Sequence, residues 1–359
     1  MFSACLNAAD PKKAVIPGAD WQQVADPEAL GLDAGLRAEA DAALDALPTT
    51  SFMAVSGGEV LYSYGDVSEV SYMASTRKSI LSMLMGKPVC EGKIDLDLTM
   101  ADLGIDEADG LLPIEKTARL RDLLISSSGV YHPAGSPGGD MKDVPARGSK
   151  TPGQYFHYNN WDFNVLGAAF EQLTGRSVFQ ALDEDLAQPL QFQDFDRNRQ
   201  RMLGYNGQSR YLAYHLFLSG RDMARIALTM TRQGAWGAQQ IVPAEWVAES
   251  TKIRVPAEAM NGSRKPCVAG YSYLWWIPVV TPETPEWQGA FVAAGHFGQF
   301  MLGMPAIDMV FVNRRAIPDE MAIARNNGSF TDEPPTVTME QFLSVARKFV
   351  TARLKAAKG

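Results

Sequence analysis

Strand-forming sequence in this chain is confined to its two ends, and that separation constrains the fold more than any other feature. Near the start, residues 51–56 and 59–64 are short strand-like runs joined by Gly57-Gly58. Two glycines between such runs predict a hairpin, because the tight turns that match strand twist need positive φ. The other cluster lies far downstream. Residues 271–279, 291–294, 299–304 and 308–313 are rich in aromatic and β-branched residues and are separated by turn formers. A helix is predicted beside each cluster. Over 33–47, Leu36, Ala40, Ala43, Leu44 and Leu47 share one face. Near the other end, Thr338 with Gln341 gives a capping-box pattern ahead of Phe342, Val345 and Phe349.

The middle of the chain, 71–221, reads as helices and long loops. Apolar spacing predicts helices over 111–128, 161–174 and 178–190, and the pattern continues over 219–233 and 244–251. A loop rich in Gly and Pro, 131–153, is longer than compact domains usually leave without structure, which points to a functional role. The simplest packing is an α+β architecture: one antiparallel sheet drawn from both chain ends, flanked by the terminal helices, with the helical block as a second lobe. The expected division is a discontinuous α/β lobe, 1–70 and 222–359, and a mainly helical lobe, 71–221. A cleft between lobes is a preferred place for a ligand site.

Composition removes several function classes. The chain has 359 residues, 46% hydrophobic and 21% charged, enough to bury a large globular core. Its formal net charge of −8 lacks the basic footprint of a nucleic-acid binder. No apolar run approaches a membrane span. Cys5, Cys90 and Cys267 are odd in number and far apart, which favours free thiols over a disulfide framework. His132, His157, His215 and His296 show no metal-ligand spacing. There is no Gly-x-Ser-x-Gly, P-loop or Gly-x-Gly-x-x-Gly. Neither a metal nor a cofactor is implied. Phe2-Ser3-Ala4-Cys5 has the look of the end of a lipoprotein leader, without a basic and apolar region before it. The compartment stays open: cytoplasmic as the sequence stands, periplasmic or secreted if a leader has been trimmed.

Three short elements can carry chemistry. In Ser75-Thr76-Arg77-Lys78, serine and lysine fall on one face of a predicted helix, 75–85, as an i, i+3 pair. An alcohol becomes a nucleophile when a neighbouring base takes its proton, and a lysine serves if burial or a nearby cation lowers its pKa. A serine at a helix start also has its backbone N–H available for a developing oxyanion. The plain alternative is a helix start with an exposed lysine. Tyr158-Asn159-Asn160 precedes the helix predicted from Trp161. Tyr158 can shuttle protons, and Asn160 can hold a lysine or a substrate carbonyl; packing and capping at a helix start is the competing reading. Gly295-His296-Phe297-Gly298-Gln299 lies between two predicted strands. There Gly298 lets a ligand approach the backbone, Gln299 offers a second oxyanion donor, and His296 can bond the tyrosine or the substrate. Alone, this segment is equally a hairpin turn with an incidental histidine.

Taken in order, Ser75-x-x-Lys78, Tyr158-x-Asn160 and His296-x-Gly298 resemble the three signatures of serine β-lactamases and penicillin-binding proteins. The spacing is most similar to class C β-lactamases and their relatives, the family VIII carboxylesterases, D-amino-acid amidases and 6-aminohexanoate-dimer hydrolases. The resemblance extends over most of residues 50–315, including Arg121-Asp122-Leu123-Leu124 and Gly270-Tyr271-Ser272-Tyr273-Leu274-Trp275-Trp276. It implies a β-lactamase/transpeptidase-like fold and a serine hydrolase that acylates Ser75. Lys78 and Tyr158 would share the proton work, and the N–H groups of Ser75 and Gln299 would form the oxyanion hole. Asn160, His296, Gly298, Tyr131, His132 and Trp161 are expected to border the substrate, together with His157. One departure bears on substrate. β-Lactamases and penicillin-binding proteins typically carry Lys-Thr-Gly or a close variant where this chain has His296-Phe297-Gly298, a departure common among the esterase and amide-hydrolase relatives, and the missing lysine and hydroxyl normally hold a carboxylate. Small-molecule esters or amides are therefore expected, with β-lactamase or D-Ala peptidase-like activity, or binding without turnover, as alternatives. The chain is expected to act as a monomer or homodimer.

Overall fold

The computed structural model describes residues 15–136, 143–205, 207–261, 268–327, 329 and 333–358. Cys5, Cys267, the segment 2–5 and part of the 131–153 loop lie outside the described residues.

The helix α1 (Ala34–Asp45) is capped by Asp33, whose carboxylate accepts from Leu36 N at 2.8 Å. It leads into the predicted hairpin, β1 (Ser51–Ser56) and β2 (Glu59–Gly65), turned by Gly57 and Gly58 at φ 63° and 90°. A short strand β3 (Ser71–Tyr72) precedes helix α2 (Thr76–Cys90). Then come α3 (Leu120–Leu124), α4 (Asn160–Thr174) and α5 (Val178–Ala181), the last continued by π-helical Leu182–Ala187. Strands β4 (Arg201–Leu203) and β5 (Ala213–His215) pair with each other, and β6 (Phe217–Leu218) pairs with β3. Helix α6 (Gly220–Thr231), the small pair β7 (Ala235–Trp236) and β8 (Gln239–Gln240), and α7 (Ala244–Ser250) follow. The chain then lays down β9 (Ala269–Tyr271), β10 (Trp276–Pro278), β11 (Phe291–Gly295), β12 (Gln299–Met304) and β13 (Met309–Arg314). It closes with α8 (Asp319–Asn326) and α9 (Met339–Ala356).

The main sheet runs β2-β1-β13-β12-β11-β10-β9 and is antiparallel throughout, so both chain ends do build one sheet. Strands β1, β12 and β13 are buried at every position, because helices cover both faces. On one face α9 stacks Phe342 on Phe300 at 5.0 Å and Phe349 on Phe52 at 5.9 Å, with α1 packed beside it. On the other, α6 lies against β1, β12 and β13, and α2 against β11 and β12. One contiguous apolar core runs from this sheet into α2, α4 and α5.

Two predicted elements differ. The helix predicted over 111–128 is realised only as a 3-10 turn, Glu115–Thr117, and the short α3. Buried Glu115 is drawn to Arg147 at 2.6 Å, and Asp122 caps Arg119 N, so side chains break the run. The strand predicted over 271–279 is two strands joined by a turn in which Leu274 takes φ 67°. That turn is fixed from outside: Leu274 N donates to Leu124 O, and Ser79 Oγ donates to Leu274 O.

Candidate active site

Ser75 stands at the mouth of α2, immediately after Ala74, which is held at a positive φ of 48°. An alanine in the left-handed region is strained unless its surroundings fix it. Here they do. Ala74 belongs to a small apolar cluster with Tyr72, Phe217, Phe297, Ile317 and Ala322. The same cluster contains Phe297 of the third motif, so packing of two apolar side chains brings the first and third motifs together. Thr76 adds a hydroxyl bond to Met73 O at 2.6 Å.

Helix α2 is buried almost all round, and Lys78, one turn after Ser75, is 1% exposed. Its Nζ donates to Tyr158 Oη at 2.8 Å and to Asn160 Oδ1 at 2.7 Å, and it lies over the rings of Tyr158 and Phe163 at 4.3 and 4.0 Å. Charge-assisted bonds and aromatic faces are what a lysine removed from water requires. The Tyr158 ring is packed by Phe163 at 4.9 Å and Trp276 at 5.6 Å. The loop before α4 is pinned by Ser126 and Val130, which the motif reading did not single out. Ser126 Oγ accepts from Asn159 N at 3.0 Å and donates to His157 O, while Asn159 Nδ2 donates to Val130 O at 2.7 Å. Beneath them Asp162 is fully buried; burial drives its pKa well up, against a bond from Ser128 Oγ at 2.6 Å.

Part of this arrangement opens on a cleft of about 860 Å³, within the usual range for small-molecule sites, with Lys78 buried behind its wall. Ser75, Tyr158, Asn160 and His296 all line it. Its wall also carries Arg77, His215, Trp276, Arg325 and Glu333, none of which the motif reading placed there. His215 belonged to the histidine count, but no local pattern marks it. Burial first, then Arg77 and Lys78, push its pKa well below 6.5, so it is neutral near pH 7.

The third motif folds as the turn between β11 and β12, with Phe297 at φ 69° and Gly298 at φ 106°. Gly295, rather than Gly298, is the close-approach glycine at the nucleophile. A Cβ on Gly295 would stand 2.6 Å from Met73 O and 3.1 Å from Ser75 N. A Cβ on Gly298 would meet Val337 at 2.6 Å, so its openness serves the chain itself instead of a ligand. The Gln299 side chain is buried and donates its amide to Arg315 O, while its backbone pairs with Gly295, the glycine packed against Ser75 N.

Tyr131, His132 and Trp161, expected at the border of the cleft, do not line it. The Trp161 indole donates to buried Glu107 at 2.7 Å, and His132 bonds Asp109 at 3.0 Å, so both brace the segment near 105–111. Tyr131 packs edge-on to His157 at 5.5 Å. The first turn of α4 aims Asn160 at Lys78, and the helical rotation carries Trp161 into the core. Among the described residues, no group of three or more His, Cys, Asp or Glu is placed to hold a metal, and no helix is long and apolar enough to cross a membrane.

A seven-stranded antiparallel sheet with helices on both faces and a helical segment inserted between its strands is the β-lactamase/transpeptidase-like fold. The chain belongs to the Beta-lactamase family, whose sequence profile matches residues 36–313, and it is a serine hydrolase of that family. Solved structures agree on the fold. One, provisionally described as a 6-aminohexanoate-dimer hydrolase from Bacillus anthracis, is 20% identical over 88% of this chain and 81% of its own, with a TM-score of 0.62. Another, provisionally described as a beta-lactamase from Bacteroides dorei, is 17% identical over 89% and 98%, with a TM-score of 0.61. EstCE1, a hydrolase with promiscuous acyltransferase activity, is 15% identical over 83% and 97%, with a TM-score of 0.57. No curated protein matches the sequence.

Proposed function

We propose that the protein hydrolyses small carboxylic esters or amides through an acyl-enzyme on Ser75, in the cleft between the 71–221 segment and the rest of the chain. One observation carries this reading: Lys78 Nζ, buried one helical turn from Ser75, is bonded at 2.8 Å to Tyr158 Oη, and Tyr158 lines the same cleft as Ser75. The pair takes the Ser75 proton as Oγ attacks the carbonyl, and Tyr158 returns it to the leaving oxygen or nitrogen. Asn160 holds the lysine in place. The Ser75 N–H stabilises the oxyanion, with the Gln299 N–H as the second donor, since Gln299 pairs with Gly295, the residue packed against Ser75 N. Water then attacks the acyl-enzyme by the reverse proton path.

Esters and amides are favoured over β-lactams and D-Ala peptides because the third motif offers neither lysine nor hydroxyl. His296 is engaged with Glu333 at 2.8 Å, and Phe297 is 1% exposed in an apolar cluster. The test is the initial rate of p-nitrophenyl butyrate hydrolysis by the wild type and Ser75→Ala, with mass spectrometry of the quenched wild type. The expected result is a rate lost in the variant and a butyryl group on the Ser75 peptide. Equal rates in both proteins would remove Ser75 from the mechanism.

A further inference from the structure

His296 and Arg325 converge on a carboxylate that the chain itself supplies. Glu333 Oε2 lies 2.8 Å from His296 Nε2, and its Oε1 accepts from Arg325 Nε at 3.1 Å. All three residues line the cleft that contains Ser75. The pair sits close to the chemistry, since Gly295, the neighbour of His296, is packed against Ser75 N. Two nitrogen donors, one on each oxygen, are the arrangement that recognises a carboxylate.

The rest of the cleft is biased the same way. Arg77 is 2% exposed; its Nη2 donates to the neutral Asn164 amide at 3.1 Å, and its Nη1 has no hydrogen-bond partner. Lys78 is close by, and the low pKa of His215 registers Arg77, Lys78 and Arg325 together after burial. Against these cations the cleft wall presents Glu333 and Glu340. Among the described lining residues Arg77 and Arg325 are balanced by Glu333 and Glu340, so the cleft favours a substrate carboxylate only where Glu333 gives way, and the position best suited to take one is already filled.

We propose that His296 and Arg325 form an anion subsite that Glu333 fills as an internal ligand, making Glu333 the residue that restricts this hydrolase to acyl groups uncharged at that end. The inference rests on the ester and amide hydrolase reading and adds a substrate class to it. A carboxylate on the acyl chain must expel Glu333 and gains no contact that Glu333 did not already have. A neutral acyl chain leaves the pair undisturbed. Discrimination thus comes from a repulsive element as much as from an attractive one.

The test compares kcat/KM for p-nitrophenyl butyrate and mono-p-nitrophenyl glutarate, which differ by a terminal carboxylate, in the wild type, Glu333→Gln and Glu333→Ala. The wild type should prefer the neutral ester, and the ratio should move toward the glutarate ester by about tenfold or more in both variants. An unchanged ratio would overturn the proposal. A second measurement needs no turnover: calorimetric titration of glutarate into Ser75→Ala and into Ser75→Ala with Glu333→Gln. Binding tighter by about tenfold in the double variant supports the subsite, and equal affinity overturns it. If the wild type cleaves neither ester, the ester reading fails, and the titration alone decides the subsite.

Discussion

Replacing Tyr158 by phenylalanine removes one oxygen from the centre of the proposed mechanism and little else. The ring stays packed among Phe163, Tyr271 and Trp276, at 4.9, 6.1 and 5.6 Å. What goes is the acceptor of the 2.8 Å bond from Lys78 Nζ, while the 2.7 Å bond to Asn160 Oδ1 remains. A hydrogen bond to a charged group contributes about 1.5–3 kcal/mol, so unfolding in urea should show a loss of that order or less. The kinetic effect should be larger. General acid–base help is typically worth about 10²–10⁴ in rate, roughly 3–5 kcal/mol of barrier. Because the proton moves in the transition state, the loss should fall on kcat, with KM within about threefold of wild type. The assay is steady-state hydrolysis of p-nitrophenyl butyrate at saturating and limiting substrate, alongside the urea curve. A kcat equal to wild type in a variant that has lost the bond would refute Tyr158 as the proton carrier. A loss confined to KM would make it a binding residue.

Gly298→Ala should destabilise the fold by about 1–3 kcal/mol, because a Cβ there is strained and overpacks its neighbour; its φ is 106° and Val337 would stand 2.6 Å away. An unchanged urea midpoint with impaired ester binding would restore the ligand-approach role that the structure withdraws from Gly298. His215 is predicted to make the protein acid-sensitive. Its folded pKa is depressed below 6.5, so the unfolded chain binds the extra proton and stability present above pH 6.5 is lost as pH falls. Asp222, pushed up to about 6 by burial, acts in the opposite sense, but it is common to both proteins compared. His215→Phe should therefore remove a slope of at most about 1.4 kcal/mol per pH unit from the stability difference between pH 6.5 and 5. Parallel wild-type and variant profiles from urea unfolding would mean that His215 does not titrate between the two states.

Elements whose signals are local were legible without coordinates. Gly57-Gly58 turned the hairpin because two adjacent residues needed positive φ. Thr338 and Gln341 made the reciprocal capping box of α9. The interaction that closes such an element lies within a few residues, so the chain carries it wherever it goes. The i, i+3 spacing of Ser75 and Lys78 is of the same kind, and the order of the three motifs identified the family before any geometry was known. Where a segment's shape is set by distant partners, the pattern misled. The run 271–279 reads as one strand, yet Leu124 and Ser79 bend it at Leu274.

The site's outline depended on such partners. Lys78 and Tyr158 are separated by 80 positions, and His296 and Glu333 by 37. Tyr131, His132 and Trp161 looked like cleft residues by proximity to the motifs, but the rotation of α4 and the pull of Glu107 and Asp109 turned the latter two inward. Sequence alone determined which side chains have the chemistry to attack and to move protons, because that is a property of residue type and helical spacing. Only the tertiary structure decided which of them face one cavity, and that Glu333 already occupies the place of a carboxylate. Burial and mutual approach depend on how the entire core packs, and no local window of sequence carries that information.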